Sequence, residues 1–218
     1  LQLPPDQHRS TCSDDIACSE GWEDVQWAQD GKTLAFVSTD RGHKSATLRV
    51  ADAATGKVRD VYTETVKTQY QSAPALGSVN WRYLPESNEF LWFSQKSDWG
   101  HLYLHDLASG KEKRQLTTGN WNVAKVAHID MASRTLWFEG VGREAGRDPY
   151  FVHYYKVGLD GGDVQLLTPE NANHAITPSE DGKRFVDVYS TIDTAPVALV
   201  RDAEENGSLR PGGTIVEG

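Results

Sequence analysis

The stretch "QDGKTLAFVS" (residues 29–38) sets a tight-turn dipeptide, Asp30-Gly31, just before a short apolar run, Leu34-Ala35-Phe36-Val37. The chain repeats this arrangement. "ESNEFLWFS" (86–94), "MASRTLWFEG" (131–140) and "SEDGKRFVDVYS" (179–190) each place turn residues before an apolar strand. Aligned on the last apolar strand residue, Val37, Phe93, Phe138 and Val188 lie 56, 45 and 50 residues apart. Self-similarity at a period of about 40–50 residues marks solenoids, arrays or propellers.

Each repeat holds more than its central strand. A second strand follows, then a turn built on Asp and Gly: "TLRVADAATGK", "HLYLHDLASGK", "YYKVGLDGGD" and, less regularly, "PVALVRDAEENG". Asp52 and Gly56 have the same spacing as Asp106 and Gly110. Asp bonds the backbone of its own turn, and Gly supplies positive φ without strain. A third strand comes next ("KVRDVYT", "EKRQLTT", "DVQLLTP"), and another precedes each central strand ("WEDVQWA", "SVNWRYL", "VAKVAHID"). The unit is therefore four short antiparallel strands joined by hairpins.

In Leu34–Val37, Phe90–Phe93 and Leu136–Phe138, residues of both parities are apolar. A sheet wet on one face would alternate. These strands are expected to be covered on both faces, and copies of the same sheet provide the cover. The predicted fold is all-β: a partial β-propeller of about four antiparallel four-stranded blades. The expected limits are 22–63, 78–118, 123–168 and 173–201. An irregular head, 1–21, precedes them. A tail, 202–218, follows, with one short strand candidate at Gly213–Val216. The seven Trp are expected in core packing between blades. No segment cycles convincingly at the helical period.

Composition narrows the function. The 218 residues carry 22 Lys and Arg against 31 Asp and Glu, a formal net charge of −9. That balance argues against nucleic acid, which needs clustered cations. No run reaches the roughly 18 apolar residues of a membrane span, and no leader peptide is visible. The two cysteines, Cys12 and Cys18, have five residues between them in a polar stretch. They are expected to form a small disulfide loop in an oxidising compartment, with free thiols as the alternative.

No self-sufficient catalytic set is visible. No serine has Gly at both positions of a nucleophile elbow, and Ser19 in "ACSEG" comes nearest. His101 and His105 would share a strand face but lie about 13 Å apart, too far for one ion. No metal or cofactor site is expected. His128 and Asp130 share a strand face and suggest nothing further. Asp187 is an inward-facing carboxylate with no obvious partner, whereas a propeller glycosidase needs a pair. The densest segment is "GREAGRDPYFVHYY", a charged, Gly-rich loop at 142–149 running into an aromatic strand. Arg143, Arg147 and Asp148 are its candidate substrate-binding residues, and pairing among the loop's own charges is the alternative.

Several of these segments resemble one family in order along the chain. "SQKSDWGHLYLHDLASGKEKRQLTTGNWNV" (94–123), with Trp99-Gly100-His101-Leu102-Tyr103 and the turn at 116–121, resembles a blade of the N-terminal propeller of dipeptidyl-peptidase-IV-like serine peptidases (prolyl oligopeptidase clan, S9). "GREAGRDPYFVHYYKVGLDGGDVQLLTP" (142–169) resembles the next blade, and "DGKRFVDVYSTIDTAPV" (181–197) the last. In that family a propeller of eight blades caps an α/β-hydrolase domain. The resemblance implies that the Ser, Asp and His of the triad lie outside this chain, in a C-terminal hydrolase domain of the parent. It also implies that the loop at 67–81 approaches the substrate side of the cavity. The family's paired glutamates, which hold a peptide's free amino terminus, have no counterpart; Glu204 and Glu205 are adjacent but lie beyond the last blade.

The expectation is therefore a non-catalytic propeller region that gates or positions short peptides, in a secreted or periplasmic enzyme. A stand-alone propeller that binds a protein partner is the alternative. Four blades in an arc leave one apolar face uncovered at each end. The isolated chain is thus expected to form a homo-oligomer through its terminal blades.

Overall fold

The computed structural model describes residues 9–10, 25–40, 42–71 and 79–216. Four antiparallel sheets follow one another along the sequence. The only helical element among the described residues is a single 3-10 turn, Pro85–Ser87. No helix there is long and apolar enough to cross a membrane. The protein is an all-β chain of the partial-propeller class, and it divides into two compact units, 1–115 and 116–218.

The first unit holds two sheets. Strands β1 (Arg9–Ser10) and β2 (Val25–Trp27) pair with opposite ends of β3 (Thr33–Thr39), which continues to β4 (Ser45–Asp52) and β5 (Val58–Thr65). Part of the head expected to be irregular thus pairs as a strand. The second sheet runs β6 (Arg82–Leu84), β7 (Glu89–Ser94), β8 (His101–Asp106) and β9 (Glu112–Gln115). The two sheets share one core: Ala35, Val37 and Leu48 pack with Trp81, Phe90 and Trp92. The Gln26 side chain ties their inner strands, donating to Trp81 O at 3.0 Å and accepting from Tyr83 N–H at 2.8 Å.

The second unit repeats the plan with β10 (Asn122–Asp130), β11 (Thr135–Val141), β12 (Val152–Gly158) and β13 (Gln165–Leu166), then β14 (Asn173–Pro178), β15 (Arg184–Thr191), β16 (Thr194–Asp202) and β17 (Ser208–Val216). Its core joins Trp137, Tyr154 and Leu167 to Phe185 and Ala203. The region read as a tail supplies β17, the whole outer strand of the fourth sheet. Its register slips between Leu199 and Arg201, which absorbs the Pro-Gly-Gly segment as a bulge. An outer strand has one free side, so the N–H that Pro211 lacks is not needed there.

Val37, Phe93, Phe138 and Val188 fall on β3, β7, β11 and β15, the equivalent strand of each sheet. Phe90 to Phe93 are wholly buried on both faces. Trp81, Trp92, Trp121 and Trp137 are core residues as expected, but Trp27 and Trp99 are 57% and 36% exposed. His105 on β8 is buried against Phe90, its Nδ1 donating to Gly110 O at 3.0 Å, and burial lowers its pKa. It is a packed core histidine. The Cys12–Cys18 pairing falls outside the described residues, as does the middle of the 67–81 loop.

The Asp–Gly turns form as their spacing requires. Asp52 Oδ1 accepts from Thr55 N–H and Oγ–H at 2.7 and 2.8 Å; Asp106 Oδ1 accepts from Ser109 N–H and Oγ–H at 2.7 and 2.6 Å. These hydroxyl bonds, first among the causes, hold both carboxyls below their usual range. Gly56 and Gly110 then take φ of 69° and 70°. A methyl on Gly56 would meet open space, whereas one on Gly110 would overlap the Val61 carbonyl of the neighbouring sheet. Gly207, in the β16–β17 turn, presses in the same way against the backbone of Leu167.

Candidate functional site

The second unit holds a cluster of charged residues at one end, where the β11–β12 loop (142–151), the β13–β14 connector (167–172) and the ends of β14 and β15 meet. Two glycines shape the loop: Gly142 and Gly146 have φ of 80° and 76°. Arg143 donates to Glu144 Oε1 at 2.8 Å and to Val164 O at 3.1 Å, its guanidinium over the Trp121 and Tyr155 rings. Arg147 reaches across to the connector, donating to Pro169 O at 2.8 Å and Glu170 O at 3.0 Å. Asp148 Oδ1 accepts Tyr150 N–H at 2.9 Å, a turn that leaves the Tyr150 side chain 86% exposed. Arg143 and Arg147 are therefore bonded to the protein's own acceptors, and Asp148 braces its turn.

Beneath the loop lies a buried network that the sequence reading did not assemble. Asp187, on β15, is fully buried. Its Oδ1 lies 2.7 Å from His174 Nδ1 and its Oδ2 accepts Arg201 Nε–H at 2.8 Å. Arg201 also donates to Glu170 Oε1 at 2.5 Å and to Gly207 O at 3.1 Å. Asp187, expected to lack a partner, has two. The reason is register: Asp187 stands opposite Ile176 on one side and Leu199 on the other. His174 and Arg201 are each two residues from those positions, on the same face, as diagonal neighbours. A carboxylate buried among apolar strands persists only when paired and hydrogen-bonded.

A second histidine completes the cluster. His153, on β12, has its ring 5.1 Å from that of His174. Its Nδ1 lies 3.4 Å from Thr168 Oγ1, which itself accepts Tyr154 N–H. Its Nε2 lies 3.5 Å from Arg147 Nη1. Burial, and after it the charges of His174 and Arg147, hold His153 down at about 4. With a guanidinium N–H facing it, Nε2 is an acceptor and Nδ1 carries the proton.

This arrangement limits the chemistry. The Asp187–His174 pair resembles half of a hydrolase triad, but His174 Nε2 faces the Glu170 carbonyl at 3.2 Å, where a nucleophile would have to sit. Glu170, His174 and Asp187 place ligand atoms within 4.8 Å of one another, the spacing of a metal site. Arg201 already bridges the two carboxylates and takes the cation's place. The network is suited to fixing loops. At the opposite end of the same strands, a hollow of about 440 Å³ is lined by Thr135, Trp137, Lys156, Gln165 and Glu204. Lys156 there donates to Ala203 O and Glu204 O, and burial lowers its pKa.

Known proteins match this architecture. A dipeptidyl aminopeptidase IV assignment belongs to a Bacteroides ovatus structure that matches with a TM-score of 0.69 at 23% identity, over 88% of this chain and 28% of that one. Porphyromonas gingivalis dipeptidyl peptidase 4 matches with a TM-score of 0.70 at 18% identity, over 88% of this chain and 26% of its own. The chain thus spans little more than a quarter of either structure, and at these identities the likeness shows the fold. The family model for the dipeptidyl peptidase IV N-terminal region matches residues 5–196. With that match across most of its length, the chain belongs to the dipeptidyl peptidase IV N-terminal region family.

Proposed function

We propose that this chain is the non-catalytic propeller region of a dipeptidyl-peptidase-IV-like serine peptidase, and that it gates or positions short peptides for an α/β-hydrolase domain of the parent protein. The observation that carries this reading is the family match over residues 5–196, on a chain of four consecutive antiparallel sheets. The loop end of the second unit fits it: a rigid base holds Tyr150 and Asp148 toward solvent. The parent enzyme would act in a periplasmic or extracellular compartment. The outer face of the fourth sheet, where Pro178, Val186 and Val200 line an apolar hollow of about 280 Å³, would be covered by a neighbour, and in the isolated chain by a second copy.

The test compares the chain with the full product of its gene on X-Pro-nitroanilide substrates. The chain alone releases no nitroaniline. The full product does, and it cleaves short peptides in preference to the same dipeptide on a folded protein. A full product without peptidase activity, or one indifferent to substrate size, overturns the proposal.

A further inference from the structure

Arg147 is the only described side chain that bonds the β11–β12 loop to the Pro169 and Glu170 carbonyls. Its third contact is the unprotonated Nε2 of His153. A proton on that nitrogen would turn an acceptor into a donor facing a donor. It would also set an imidazolium, on a residue that is 2% exposed, against a guanidinium at hydrogen-bonding range. His153 cannot swing away, because Thr168 holds its other nitrogen and the His174 and Tyr155 rings flank it. Arg147 is the member that can leave, since it lies at the rim.

We propose that the Arg147–His153 contact is an acid-released latch: protonation of His153 expels Arg147 from the Pro169 and Glu170 carbonyls and frees the loop that presents Tyr150. The groups facing His153 set the threshold. From the β11–β12 loop, Arg147 opposes a proton and Glu144 favours it. From the connector come Thr168 and Glu170, from β14 His174, and behind it on β15 and β16 the Asp187–Arg201 pair and the Tyr189 ring. Burial outweighs the rest and places the release in mildly to strongly acidic solution. The buried Arg201–Asp187–His174 network stays in place beneath the loop, so the latch opens locally while the sheets hold. This inference concerns the chain itself and does not depend on the peptidase reading.

Hydrogen exchange read by mass spectrometry, corrected for the intrinsic rate, tests it on the whole chain between about pH 6.5 and about pH 3.5. Exchange in 142–151 is expected to rise by about tenfold or more. Its midpoint should coincide with titration of the His153 ring seen by NMR, and the β7–β8 strands should stay protected. His153→Gln keeps an acceptor for Arg147 but does not titrate, and it should abolish the rise. If the His153→Gln loop opens at the same pH as the unsubstituted loop, a group other than His153 is responsible and the proposal fails. Arg147→Gln serves if His153→Gln does not fold. Its loop should exchange fast at every pH, and an acid-dependent rise that survives in Arg147→Gln also overturns the latch.

Discussion

Strand β7 in the second sheet and strand β15 in the fourth hold the same place in their sheets and are buried by different means. β7 reads Phe90-Leu91-Trp92-Phe93, apolar on both faces, and all four residues are inaccessible. Its polar contacts lie at its ends and toward the neighbouring sheet: Glu64 accepts Trp92 Nε1–H and Ser94 Oγ–H, both at 2.6 Å, and buried Glu89 pairs with Lys113. β15 alternates instead. Phe185 and Asp187 point into the core, while Val188 remains 37% exposed. One strand is stabilised by apolar area, which is indifferent to the identity of its neighbours. The other needs two named partners on two other strands. The first arrangement tolerates repacking, and the second fixes register.

The sharpest way to break this contrast is to remove the central acid. Asp187→Ala leaves Arg201 and His174 buried without their carboxylate and should cost about 3–5 kcal/mol, read as a fall in the urea midpoint. Adding Arg201→Met to an Asp187→Leu background should recover much of that loss, because an apolar replacement for a buried ion pair is often close to neutral. Trp92→Phe probes β7. It keeps an aromatic ring but strips Glu64 of a donor, and should cost about 1–3 kcal/mol. Equal losses from Asp187→Ala and Trp92→Phe would erase the distinction between the two strands.

A smaller effect is expected with pH. His153 titrates at about 4 in the folded protein against 6.5 in a free chain. Between those values the unfolded state binds a proton that the folded state refuses. Stability of the second unit is therefore full above about 6.5 and declines as pH falls toward 4. His153→Gln should flatten that slope in thermal melts. At the small end, Lys32→Ala removes an exposed pairing with Asp30, 81% and 55% accessible, and should move stability by no more than about 0.5 kcal/mol.

The sheets were legible because burial on both faces writes itself into both parities of a strand, as in β3, β7 and β11. The Asp–Gly turns were legible because a turn is local, and Asp106, Ser109 and Gly110 carry all of it. The network was not. Asp187 could be seen as an acid inside an apolar strand, which implies a partner. Finding His174 and Arg201, 13 and 14 residues away, requires the cross-strand register. Arg143 and Arg147 look alike in sequence, yet one lies over two rings and the other spans to a second loop. β17 was understated because Pro-Gly-Gly reads as a stop, and only its position at the sheet edge makes a bulge there acceptable.

The hairpin glycines carry a record of how the repeats came to be used. Every copy of the turn needs a residue that accepts positive φ, so a duplicated unit inherits Gly for a local reason. At Gly56 that remains the only reason, and Asn or Asp could take the position at modest cost. At Gly110 and Gly207 a second demand has been added, because the turn touches the backbone of another sheet and admits no side chain. Once repeats are stacked, their equivalent positions cease to be equivalent under selection. The glycine that can drift and the glycine that cannot mark which hairpins have a neighbour. A deep mutational scan of the turns would therefore recover the stacking order within each unit from tolerance to alanine alone.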